Sequence, residues 1–208
     1  MAVMPRSLCW QRVDSTGIEH VLFDDRSGLY ARGTIVGTDP LTYSGSYELL
    51  ADQKWASARL TVNVEGAGWL RSLKLERAAG RWHATAGEQG DLDAALMHEG
   101  HTRAQLPGVE NPDRLATALD VDLGYSPLTN TLPIRRLGLR AAATGTQQTV
   151  AVAWVLVPSL VVVPAKQTYT VVGPGTIRYS SGDFSADLTV DGEGFVTHYP
   201  GLAQLVTA

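Results

Sequence analysis

Cysteine is almost missing from this chain: Cys9 is the only one among 208 residues. A lone thiol excludes an internal disulfide and a zinc–thiolate cluster. Charge is scarce too, at 18% of residues, and the net −4 comes without any lysine- or arginine-rich run. The electrostatic footprint of a nucleic-acid binder is therefore absent, and no nucleic-acid partner is expected. The longest apolar run, 150–163, is broken by Pro158-Ser159 and falls short of the ~20 residues of a spanning helix. The opening Met1-Ala-Val-Met-Pro-Arg-Ser-Leu-Cys9-Trp10 has no apolar centre of signal-peptide length, so it reads as a short leader. These absences predict a soluble, cytoplasmic chain. His98-Glu-Gly-His101 sets its histidines three apart beside Gly100, whereas a metalloprotease helix needs them four apart. Neither a metal nor another cofactor is expected.

What the chain has in quantity is turn chemistry, with 21 Gly and 10 Pro. Low charge and frequent turns point to an all-β architecture, and 208 residues suit one domain over 1–208. Short alternating segments bear this out along the first third. Leu41, Tyr43, Gly45, Tyr47 and Leu49 fall on one face of a strand, and Leu60, Val62 and Val64 on one face of another. Asp24-Asp-Arg-Ser-Gly28, Gly37-Thr-Asp-Pro40 and Gly66-Ala-Gly68 are turns between such strands. The result is an antiparallel meander. Residues 86–118 break the rhythm and read as a loop insertion, with one helical turn near 91–97.

Farther on, every residue from Val150 to Val157 is apolar. A strand that is apolar on both sides must be covered on both sides. One face meets the core. The other meets either more polypeptide or a lipophilic cavity.

The most unusual stretch is Asp120-Val-Asp-Leu-Gly-Tyr-Ser-Pro-Leu-Thr-Asn-Thr-Leu-Pro-Ile-Arg-Arg-Leu137. An extended backbone puts Asp120 and Asp122 on one face. Pro127 suggests a turn, Thr129, Asn130 and Thr131 suggest local side-chain hydrogen bonds, and Pro133 restricts Leu132 to extended conformations. Arg135 and Arg136 then bring two guanidinium forks near two acids.

This run resembles the family called "Putative glycolipid-binding". The likeness extends to Tyr47 with Trp55, to 68–75, to Gln167-Thr-Tyr169 and Arg178-Tyr179, and to the Asp191…Tyr199-Pro200 end. It implies a spiral β-roll, a single curved antiparallel sheet similar to bacterial lipoprotein carriers.

Three readings of function follow. In the first, the concave face binds an amphipathic molecule, glycolipid-like as the resemblance implies, without catalysis. Arg135 and Arg136 then grip an anionic group, Asp120, Asp122, Thr129, Asn130 and Gln167 meet hydroxyls, and Trp154, Tyr169, Tyr179 and Tyr199 form walls. In the second, Asp120 and Asp122 act as acid and base on a lipid or sugar ester. In the third, the same charges knit the sheet together and no small ligand exists. No residue is assigned as catalytic. The chain is expected as a monomer or a homodimer.

Overall fold

A computed structural model of the chain describes residues 6–206. Fourteen strands build one open sheet within them. The first seven are β1 (Arg6–Arg12), β2 (Gly17–Asp24), β3 (Leu29–Gly37), β4 (Tyr43–Ala51), β5 (Ser57–Gly66), β6 (Trp69–Ala78) and β7 (Arg81–Gly90). The second seven are β8 (Asp120–Leu123), β9 (Gln147–Val155), β10 (Val162–Gly173), β11 (Thr176–Ser181), β12 (Phe184–Val190), β13 (Val196–Tyr199) and β14 (Ala203–Leu205). All pairings are antiparallel except β8 with β9. The order runs from β7 back to β1, then through β14 down to β8. The first and last strands, β1 and β14, therefore pair in the middle of the sheet, and β7 and β8 are its edges.

Strict alternation drives the first half. In β3 every second residue is buried, from Leu29 through Gly37, as expected of a sheet with one wet face. Gly33 on this strand makes room for a neighbour: a Cβ there would lie 2.1 Å from the Tyr47 ring. The stretch foreseen as a leader is instead β1, with Cys9 half-buried and Trp10 in the core. Residues 1–5 of that stretch lie outside the described residues.

Residues 86–118 are more ordered than a loop. β7 continues to Gly90, α1 (Leu92–His98) follows, and a 3-10 turn spans Pro112–Leu115. Leu92, Leu96, Leu115 and Ala118 join the main core. Buried Arg71 ties the segment down, with its guanidinium donating to Glu88 (3.0 Å) and to the carbonyls of Gln105 (2.7 Å) and Ser159 (2.9 Å). His98 ends α1 and His101 lies beyond it.

The approach to β8 is anchored on the first half of the sheet. Ser57 donates its amide to Leu119, Val121 donates to Ser57 Oγ, and the Trp82 indole donates to Ala118. One edge of the sheet is thus carried over the other half, so the sheet winds. Val121, Leu123, Ala153 and Val155 share a core with Leu60, Val62 and Leu75. Val150 and Val152, on the opposite face of β9, share a second core with Tyr169, Ile177 and Leu188. Val150 and Val152 on one face and Ala153 and Val155 on the other are thus buried, while Trp154 stays exposed near the end of the strand.

Between the two cores lies α2 (Pro127–Arg136), where the sequence suggested a turn and an extended Leu132. Leu128 and Leu132 belong to the first core, Ile134 to the second. Residues 127–134 are all buried, which is the pattern of a helix enclosed on every side. With Thr129, Asn130 and Thr131 in a row and Pro133 inside it, this segment has little intrinsic helicity, so tertiary packing holds it. No helix among the described residues is long and apolar enough to cross a membrane.

Candidate functional site

Asp122 and Trp154 are direct neighbours across the β8–β9 ladder and share a face. Around the curve of the sheet, that face continues through Gln167 and Tyr169 on β10, Tyr179 on β11 and Phe184 on β12. The ladder pairs Tyr169 with Tyr179 and Ser181 with Phe184. Next to α2 this concave surface opens into a cleft of about 550 Å³. Trp154, Leu156, Val157, Tyr179, Phe184, Tyr199 and Leu202 give it apolar walls, while Asp122, Ser126 and Asn130 give it a polar flank. Trp154 and Phe184 are 38% and 50% exposed and mark the open side of the cleft. Tyr179, Phe184 and Tyr199 pack together with ring centroids 6.0–6.3 Å apart.

Behind the polar flank runs a connected set of hydrogen bonds. Asn130 donates to the Tyr169 hydroxyl (3.1 Å), which donates to Gln167 Oε1 (3.1 Å). Gln167 Nε2 donates to Asp122 Oδ2 (2.5 Å), and the Thr129 hydroxyl lies 3.0 Å from Asp122 Oδ1. Buried polar groups joined in this way fix one arrangement. Asp122 keeps some surface toward the cleft, yet protein surrounds it closely. Burial pushes its carboxyl up to about 6, against the hydrogen bonds of Gln167 and Thr129.

The sequence-derived site residues therefore divide. Asp122, Asn130, Trp154, Tyr179 and Tyr199 line the cleft. Thr129, Gln167 and Tyr169 stand behind Asp122 and Asn130 in the hydrogen-bond set. Asp120, Arg135 and Arg136 are elsewhere. Asp120 is fully buried and takes two hydrogen bonds from Arg136, Nε to Oδ1 at 3.1 Å and Nη2 to Oδ2 at 2.5 Å. Burial still raises the Asp120 pKa, although Arg136 pulls it down. Arg135 donates to Asp25 at 2.8 Å and lies 3.9 Å above the centre of the Trp55 ring. The two arginines next to each other in sequence thus serve different acids, and the two acids serve different ends.

One important group carried no local signal. Glu19 on β2 is buried, and its Oε1 accepts from both the Tyr47 and Ser126 hydroxyls, each at 2.5 Å. Its Oε2 has no hydrogen-bond partner among the described residues. Burial pushes this carboxyl up to about 7, against those two hydroxyls. Ser126 stands at the N-cap of α2 but makes no side-chain cap bond, since its hydroxyl points to Glu19. The first half of the sheet thereby holds the helix that flanks the cleft.

The family described as "Putative glycolipid-binding" matches residues 7–205. The chain belongs to this family. A crystal structure of a DUF1089 family protein from Pseudomonas aeruginosa is similar, at 27% sequence identity and a TM-score of 0.69. The similarity covers 93% of this chain and 94% of that one. No curated protein matches the chain.

Proposed function

We propose that this member of the family binds an amphipathic, glycolipid-like molecule in the cleft beside α2, without catalysis. The observation that carries the reading is the cleft itself. Its volume of about 550 Å³ lies within the roughly 300–1,000 Å³ of small-molecule sites, and it joins apolar walls to a few convergent polar groups. An acyl chain against Trp154, Leu156, Phe184 and Leu202 gains about 0.8 kcal/mol for each methylene removed from water. Its head group meets Asp122 and Asn130. The family's name supports the same reading.

Hydrolysis by paired carboxylates is less well supported, because Asp120 is enclosed and neutralised by Arg136, which leaves Asp122 alone at the cleft. Mass spectrometry of organic extracts of the purified protein tests the binding reading. A lipid recovered in stoichiometric amount is expected, and Trp154→Ala should lose it. Protein that carries no lipid and takes up none from vesicles contradicts the reading.

A further inference from the structure

We propose that Asp122 makes the cleft selective for neutral, hydroxyl-bearing head groups and bars anionic ones. The inference rests on the amphiphile reading above and gives it a head-group class. Among the described residues lining the cleft, Asp122 is the only one with a formal charge. The arginines that could grip a phosphate or carboxylate are engaged outside it, Arg136 with Asp120 and Arg135 with Asp25. An anionic head placed there would face a carboxylate, with no cation among the described lining residues to compensate it.

A hydroxyl suits the same atoms. Asp122 Oδ2 accepts from Gln167, while Oδ1 shares the one Thr129 hydroxyl hydrogen with the Ser126 carbonyl, and a carboxylate oxygen can accept two. Asn130 spends one amide hydrogen on Tyr169, which leaves a donor and an acceptor for the cleft. The two Asp122 oxygens with the acceptor and donor of Asn130 suit vicinal hydroxyls, each of which both donates and accepts. Trp154, next to Asp122 on the same sheet face, offers a flat apolar surface to the C–H side of a sugar ring. A quaternary ammonium would also find a carboxylate and aromatic faces. Against it, Asp122 is already tied to two neutral donors, and the hydrogen-bonding groups of Asn130 would be left without partners.

The test uses three amphiphiles with one tail: decyl glucoside, decyl phosphate and decyltrimethylammonium. They are titrated into the full chain at mildly alkaline pH and followed by tryptophan fluorescence. The glucoside should bind at least tenfold more tightly than either charged compound. Asp122→Asn should weaken the glucoside about tenfold, through loss of a charged acceptor, and narrow the gap to the phosphate. Decyl phosphate binding as tightly as the glucoside to the natural protein would overturn the inference and leave amphiphile binding standing. Tighter binding of the ammonium compound would overturn it in favour of a cation site. Binding of none of the three, with no co-purifying lipid, would remove the amphiphile reading and the selectivity with it. The comparison on the natural protein stands whether or not the variant folds.

Discussion

Glu19 and Ser126, 107 residues apart in sequence, share a hydrogen bond of 2.5 Å between a buried carboxyl and the N-cap residue of α2. It joins the two halves of the sheet through the helix beside the cleft. Glu19→Ala leaves two buried hydroxyls, those of Tyr47 and Ser126, without this acceptor. A loss of about 2–4 kcal/mol is expected, from roughly 1–3 kcal/mol per stranded group. Glu19→Gln keeps an acceptor and should cost much less. Chemical denaturation of the two variants measures the difference.

The same carboxyl predicts a pH dependence. Glu19 and Asp122 are raised to about 7 and about 6, above their values in an unfolded chain. The folded state therefore holds their protons more firmly. Their contribution to stability is fully present below about pH 4 and is lost as pH rises through about 6 and 7, by about 3 kcal/mol per group. Denaturation midpoints should fall across that window, and Glu19→Gln should flatten its upper part. A natural protein whose stability rises steadily from pH 5 to about 8 would contradict the assignment.

Arg135 and Arg136 should behave differently. Arg136→Ala strands the fully buried Asp120 and should cost about 3–5 kcal/mol. Arg135→Ala removes a part-exposed ion pair and a contact with the Trp55 ring, and should cost about 1–2 kcal/mol. Thermal unfolding of both variants under identical conditions decides this. Equal losses would mean that the two side chains share one network.

Trp154 is expected to separate binding from stability. At 38% exposure its removal should cost about 2–3 kcal/mol of folding free energy, less than for a fully buried Trp. Because it lines the cleft, Trp154→Ala should weaken decyl glucoside binding more than tenfold. Unchanged affinity in a well-folded variant would place the ligand elsewhere.

Much of this architecture was legible in the sequence, and the exceptions have physical causes. The period-two burial of β3, β4 and β5 appears directly in residues such as Leu60, Val62 and Val64. The apolar run 150–157 announced a strand with buried residues on both faces, and the face left open at Trp154 is the one that borders the cleft. The helix α2 was hidden because Thr129, Asn130, Thr131 and Pro133 favour turns locally, and only burial between two cores makes them helical. Glu19 was invisible for a different reason. Its partners Tyr47 and Ser126 come from β4 and the α2 N-cap, and no local pattern reports a contact over such a separation. The arginine pair looked like one site because the residues are adjacent, yet neighbours on a helix diverge by about 100° around its axis.

Titration of isotope-labelled protein with decyl glucoside, followed by NMR, tests the claim of a binding cleft most directly. Shifts concentrated on the Trp154 indole, the Asn130 side-chain amide, Phe184 and Leu202 are the expected result. Shifts confined to the outer face of the first seven strands, or none at saturating ligand, would contradict it.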